Sequence, residues 1–350
     1  GMTTKHNWIP AFAGMTMLFF SFWLMFHTFG YDPQKNSLLI SSRLWSDFGA
    51  HIPLIRSFSL GGNVDRMLRG LLPDYPMYPG EPIRYHFLFY ALVGLLEKIG
   101  LRIDWALNIP SIVGFFALLL GIYVLSHKLF RSVAISVLSI LFFLFNGSLS
   151  FLRFFTDHPL SRNTLRDVIA IGEFPSFAPW GAGDITAFWN LNIYTNQRHL
   201  AAGFAIGIWF LIWIVQTKKN LVTAILWGLT IGILPYFHQP MLGIVAILLG
   251  SCFLFFPSER RFILIAGSIS FLLVAPQILL MPKSESLAWY PGYFIHDDLT
   301  IRRFLGYWFQ NLGLHAILIP LGYLFITPTA KKILVLLFFI FIIANLFRFS

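Results

Sequence analysis

The sequence predicts an all-α polytopic membrane protein of about nine transmembrane helices, with further helices lying in the external interface. Three observations predict it. The 350-residue chain is 57% hydrophobic and only 11% charged, against the roughly 25% charge of a soluble domain, and its mean hydropathy is +0.72. Apolar runs of crossing length recur along the whole chain. The basic residues behind the net charge of +10 sit in small clusters between those runs, not in the long tracts of a nucleic-acid binder. No nucleic-acid partner is expected.

The runs fall at residues 10–29, 107–126, 132–152, 199–216, 221–236, 239–256, 262–280, 312–327 and 333–349. The first run meets a doubtful amino terminus. Asn7-Trp8-Ile9-Pro10-Ala11-Phe12-Ala13-Gly14-Met15-Thr16 resembles the translation of a bacterial intergenic repeat. Residues 1–14 are therefore expected to be non-authentic, with the true start at Met15 or Met17, or lost. Several later runs are short, as expected of helices that tilt, break or thin the bilayer. The 85–99 run is flanked by Arg84 and His86 at one end and by Glu97-Lys98 at the other. At the carboxyl end the last run stops one residue before Ser350, so the reading frame is expected to continue.

The basic clusters orient the chain. If 85–99 does not cross, His127-Lys128 with Arg131, Lys218-Lys219, Arg260-Arg261 and Lys331-Lys332 share one side, the cytoplasm. Residues 85–99 then form a helix in the outer interface. Every acid except Glu259 is external, and none falls in the middle of a span. Proton- and ion-coupled transporters place ionisable groups near the midplane, which argues against one. The single cysteine, Cys252, excludes an intramolecular disulfide, a CxxC redox pair and a cysteine-rich zinc site.

Within this single 1–350 membrane domain, three external segments are long: 30–106, 153–198 and 281–311. Segments of that size are functional or disordered. These are rich in Trp, Tyr, Phe and Pro, whereas disordered chains are poor in aromatics. Packed loops capping the helices are therefore expected, and the chemistry sits among them.

Asp47 and His51 come first, in Ser46-Asp47-Phe48-Gly49-Ala50-His51-Ile52-Pro53 just beyond the first run. At i and i+4 they share a face of any local helix, although Pro53 disfavours a regular helix through this point. Asp157-His158-Pro159 opens the second long segment. Asp157 reads on its residues as a turn position near proline, with Asp184 further along the same segment. At Asn196-Gln197-Arg198-His199 a guanidinium meets the start of a span on the same side. It could make paired hydrogen bonds to a phosphate at headgroup depth, or simply anchor a helix end. Arg84 offers the same from the first segment. His238, between Pro235 and Pro240, either reaches a substrate or satisfies freed backbone groups. His296-Asp297-Asp298 has metal-ligand residue types but needs further ligands. No Gly-rich phosphate loop, GxSxG elbow or HExxH occurs, so serine-hydrolase, kinase and zincin chemistry has no support.

A span, then Asp47 in Asp47-Phe48-Gly49-Ala50-His51-Ile52-Pro53-Leu54-Ile55-Arg56, is followed by a Pro/Tyr-rich turn. Gly80-Glu81-Pro82-Ile83-Arg84-Tyr85-His86-Phe87-Leu88-Phe89-Tyr90 comes next, then Glu97-Lys98-Ile99-Gly100-Leu101 before the next span. This order over residues 15–155 resembles the GT-C class of integral-membrane glycosyltransferases, such as protein O-mannosyltransferases and the aminoarabinose lipid A transferase. It departs where many relatives have an Asp-Glu pair and this chain has Asp47-Phe48, which leaves a divalent metal open as cofactor. The resemblance implies a GT-C-like fold and a bacterial inner-membrane enzyme with an external active face. It further implies transfer of a sugar from a polyprenyl-phosphate donor to a lipid, glycan or protein acceptor. Asp47 would be the general base, and His51, Arg84, Tyr85, His86, Asp157, His158, Gln197, Arg198 and His238 would bind substrate. The competing expectations are a lipid-linked glycan transporter or flippase, and a glycan polymerase or ligase.

Overall fold

A computed structural model of the protein describes residues 8–42, 44–83, 85–145, 149, 155, 158–170, 189–216, 219–280, 287–292, 295 and 298–349. The class is all-α, with two short antiparallel strand pairs. Contacts divide the chain into two units, one of Gly1–Val137 with Ile193–Lys283, the other of Leu138–Asn192 with Ser284–Ser350.

The first unit opens with α1 (Trp8–Thr28) and a hairpin of β1 (Phe29–Asp32) and β2 (Ser37–Ile40). The hairpin turn is held by Asp32, whose Oδ1 accepts from the Gln34 amide at 2.9 Å. Three helices follow: α2 (Trp45–Ser59), α3 (Asn63–Leu68) and α4 (Leu88–Lys98). At 11 residues, α4 is about 16 Å long at 1.5 Å per residue, too short for a hydrocarbon core of about 30 Å. It buries Phe89, Tyr90, Ala91, Val93 and Gly94 and exposes Leu92 and Leu95, the two-faced pattern expected of a helix in an interface.

Helix α2 runs through Pro53, where the sequence disfavoured a regular helix. Pro53 has no N–H, so the Gly49 carbonyl loses its helical donor. Packing outweighs that loss: Leu54, Ile55 and Phe58 on the same helix are buried in the main core. The face meets α4 at Gly94, where a Cβ would lie 2.6 Å from the Phe58 Cβ and 2.7 Å from the Ile55 carbonyl oxygen. Only glycine lets the two helices come so close. Arg56 Nε adds an ion pair to Glu97 at 3.0 Å, and the Ser59 hydroxyl donates to the same carboxylate.

The long helix α5 (Ile103–Phe130) is the unit's axis, and α6 (Val133–Leu144) leaves it after the left-handed Arg131. In the second unit lies α7 (Thr164–Ala170). Helices α8 (Trp189–Asn196) and α9 (Arg198–Ile214) meet at Gln197 with a bend of 113°. Helix α9 packs closely on α5, and the Trp209 indole N–H donates to the Ala117 carbonyl at 3.0 Å. Helix α10 (Leu221–Gly232) starts at an Asn220–Thr223 capping box; then come α11 (Leu234–Phe237), α12 (Gln239–Phe255) and, past a 3-10 turn, α13 (Arg260–Leu280). Gly228 and Gly232 admit α13 against α10. Ser270 Oγ and Gln277 Nε2 donate to the two glycine carbonyls at 3.0 and 2.9 Å. Small residues plus side-chain donors are how helices associate where lipid offers no hydrophobic drive.

In the second unit, β3 (Leu287–Trp289) pairs with β4 (Phe347–Phe349). Between them run α14 (Ile301–Leu312), α15 (His315–Phe325) and α16 (Pro328–Leu346).

Among the described residues two helices, Ile103–Phe130 and Pro328–Leu346, are long and apolar enough to cross a membrane, and up to four spans result if each of two bent pairs counts as one. The sequence predicts about nine. The difference arises because several runs are delivered as shorter pieces, such as Val133–Leu144, Leu221–Phe237 and His315–Phe325. A helix of 12 residues reaches only about 18 Å.

Candidate functional site

The first unit gathers polar side chains where its helices begin, end or break. Asp47 and His51 lie on the first half of α2, one turn apart. Tyr85 and His86 lie in the turn before α4, and Tyr90 on α4. Gln197, Arg198 and His199 lie at the α8–α9 bend. His238 separates α11 from α12 in an extended backbone conformation, φ −169° and ψ 108°. Prolines and the bend interrupt the helices here, so side chains remote in sequence converge.

Asp47 is half-buried, and its Oδ2 accepts from Gln197 Nε2 at 2.9 Å. That bond fixes the carboxylate and leaves Oδ1 without it. His51, one turn on, packs its ring on Tyr90 at 4.8 Å. Burial pushes the His51 imidazole down to about 4, opposed by the Asp47 charge and assisted by Arg198. It is therefore neutral at pH 7. Burial likewise pushes the Tyr90 hydroxyl well up, so it remains a proton donor.

The Tyr90 hydroxyl lies 3.1 Å from His199 Nδ1. If the tyrosine donates, the neutral imidazole carries its own hydrogen on Nε2. The His199 ring lies 4.3 Å from that of His86 and 5.2 Å from that of His238, and the last two are 5.2 Å apart. Burial, followed by the neighbouring imidazoles, holds His86 down to about 3, and burial holds His238 down to about 4. Burial also raises the Tyr85 hydroxyl. Tyr85 packs edge-on against both His86 and Tyr75.

Arg198 is 2% exposed. It donates from Nη2 to the Met25 carbonyl at 3.2 Å and the Thr28 hydroxyl at 3.0 Å, from Nε to the Thr195 carbonyl at 3.2 Å, and from Nη1 to Asn108 Oδ1. Its guanidinium also lies against the rings of Phe48 and Phe29, at 5.3 and 5.7 Å. The side chain that the sequence offers to a phosphate is thus committed to neutral protein acceptors. It ties α9 to α1 and α5, while Asn108 in turn donates to the Phe29 carbonyl at 2.9 Å.

Asp47, His51, Tyr85, His86, Gln197, Arg198 and His238 are therefore brought together in one unit. Sequence reasoning passed over Tyr90 and His199. The available signal was spacing: Tyr90 follows His86 by one helical turn, and His199 adjoins Arg198. His158 belongs to the second unit and is half-buried. Arg84, Asp157, Asp184, His296 and Asp297 lie outside the described residues. Among the described residues no three His, Cys, Asp or Glu side chains are placed to hold a metal ion.

Beside the cluster opens an apolar groove of about 650 Å³, lined among others by Phe89, Ile109, Val113, Ala202, Trp209 and Phe237. Phe89 borders both features, its ring 6.3 Å from that of His199, and Phe237 immediately precedes His238. Two residues of the groove's lining thus adjoin the polar cluster, a geometry suited to a lipid with a polar head. No known protein family, curated protein or solved structure matches the chain.

Proposed function

We propose that the protein is a multi-pass GT-C-type glycosyltransferase of about nine spans in the bacterial inner membrane, with its site at the external face. The donor is a polyprenyl-phosphate sugar, and the acceptor a hydroxyl of a lipid, glycan or protein. The observation that carries the reading is the placement of Asp47. Asp47, the acid of the Asp47–Arg56 stretch, is held by Gln197, a residue of a distant helix bend, in the same unit as an apolar groove of about 650 Å³.

The chemistry follows from that placement. Asp47 takes the proton of the acceptor hydroxyl as its oxygen attacks the anomeric carbon. The bond from that carbon to the phosphate oxygen breaks, and its electron pair leaves with the polyprenyl phosphate. Attack opposite the leaving group inverts the anomeric centre. Tyr90 and the histidines supply hydrogen-bond donors around the departing oxygens.

The test is sugar incorporation from a polyprenyl-linked donor at equal membrane levels of each variant. Asp47→Asn keeps the size of the side chain but cannot accept the proton, so transfer should fall by about 10²–10⁴-fold. Asp65→Asn, on the exposed side of α3, should be nearly silent. Full transfer by Asp47→Asn removes the catalytic assignment.

A further inference from the structure

We propose that His86, His199 and His238 form a phosphate subsite that is loaded by a proton: a phosphate-bearing ligand enters, and the imidazoles take up a proton from solvent to hold it. The inference deepens the transferase reading and rests on it for the phosphate-bearing donor. No bond in the ligand is made or broken in this step; the proton moves from bulk solvent to a ring nitrogen.

Three rings in mutual contact supply the geometry, with centroids 4.3 to 5.2 Å apart. Burial leaves the His86 and His238 rings neutral when the site holds no charge, because a charged imidazole there lacks water and a counterion. An arriving phosphate reverses that balance, since an opposite charge within a few ångström favours the protonated form. His238 Nδ1 is enclosed and makes no hydrogen bond in this structure, an unused polar atom at the cluster.

The surroundings select an anion over a cation. Among the described residues, the titratable and charged groups around the cluster are Asp47 and His51 on α2, Tyr75 and Tyr85 before α4, Tyr90 on α4, Arg198 on α9 and Tyr236 on α11. The single carboxylate among them is engaged by Gln197. Arg198 makes no ion pair among the described residues, so its buried charge is not neutralised locally. Among the described residues a metal ion has no converging ligand set here. With Arg198 and Asp47 opposite in charge nearby, a phosphate is met by three neutral bases that can each take up a proton and by the unneutralised Arg198 guanidinium. The apolar groove ending at Phe89 and Phe237 would accept the chain of a lipid phosphate.

The experiment is calorimetric titration of the full chain in lipid nanodiscs, at pH 7.5, in two buffers of different ionisation enthalpy. Farnesyl phosphate, farnesol and inorganic phosphate are the probes. Farnesyl phosphate should bind with uptake of about one proton, because each added positive charge repels the next. Its affinity should fall as pH rises. Farnesol should bind without uptake. Inorganic phosphate binding with the same uptake would identify free phosphate as sufficient, and absence of its binding would make the lipid headgroup the ligand; both keep the subsite.

The double variant His86→Gln/His238→Gln should lose the uptake and bind farnesyl phosphate about tenfold more weakly. His127→Gln should change neither, since it lies 19 residues past Asn108 on α5, about 28 Å along the helix. The proposal is overturned if wild-type protein fails to bind farnesyl phosphate, if its binding heat is independent of buffer, or if the double variant keeps the uptake. No sugar is transferred in this assay. Binding with uptake but without transfer keeps this inference and loses the transferase reading; transfer with buffer-independent binding does the reverse.

Discussion

Gln197 and Asp47, 150 residues apart in sequence, are joined by one amide-to-carboxylate hydrogen bond of 2.9 Å. The bond couples the bend between α8 and α9 to the first half of α2. Gln197 acts through Asp47, so its loss should be felt in the orientation of the carboxylate and not in substrate affinity. Gln197→Leu is expected to lower kcat for sugar transfer about tenfold, roughly 1.4 kcal/mol, while KM changes little. Gln197→Asn, which keeps the amide on a shorter arm, should recover part of the loss. An equal fall in kcat and rise in KM would instead place Gln197 on the substrate.

Arg198 should behave as a structural residue. Removing it deprives Asn108 Oδ1 of a buried donor and takes one donor each from the Thr28 hydroxyl and the Met25 and Thr195 carbonyls, and a buried unpaired acceptor costs about 1–3 kcal/mol. Arg198→Ala is therefore expected to destabilise the protein by about 3 kcal/mol or more. Arg198→Lys keeps the charge but cannot reach all four acceptors at once and should lie between the two. Thermal unfolding in detergent measures both; an unchanged Tm in Arg198→Ala would show that the network contributes nothing.

Acid should loosen the site. His51, His86 and His238 titrate at about 4, 3 and 4 in the folded protein, against 6.5 for an unperturbed histidine. The unfolded chain therefore binds more protons in this range. Stability from the neutral rings is complete above pH 6.5 and is lost as pH falls through the window toward 4 and then 3. Carboxylates titrate in the lower part of the same window, so the comparison is made with His86→Gln/His238→Gln. Its Tm should vary less than that of the wild type between pH 6.5 and 4.5. Parallel curves would remove these rings as the cause.

The basic clusters predict sidedness. Single cysteines replacing Lys128, Lys219, Arg261 or Lys332, in a Cys252→Ser background, should resist an impermeant thiol reagent added from outside, and one at Asp47 should react. Outside labelling at position 219 or 332 would invert the topology.

Much of the site was legible because helical spacing is local. Asp47 and His51 at i and i+4 share a helix, and the sidedness of the basic clusters made 85–99 a helix that does not cross, where the 11-residue α4 lies. Other features depend on partners remote in sequence. Pro53 argued against α2 because the cost of a proline is local, whereas the burial of Ile55 and Phe58 against Gly94 is not. Arg198 beside a span read equally as a phosphate ligand or an anchor. Its acceptors on α1, α5 and α8 come from three separate stretches, and no spacing rule connects them. The β1–β2 hairpin escaped notice because strands of four residues carry too little alternation to stand out.

The α8–α9 bend sends three consecutive side chains to three different places: Gln197 to α2, Arg198 to α1 and α5, and His199 to Tyr90 on α4. Successive residues of a helix point about 100° apart, so this stretch has one tolerable phase. Deleting or inserting a single residue within 195–200 would turn all three away together. Carboxylate, buried cation and imidazole cluster would fail in one event, even though every residue type was still present. Length variation should therefore be forbidden at this bend and confined to segments elsewhere in the chain, making the bend the point from which the site's registration is set.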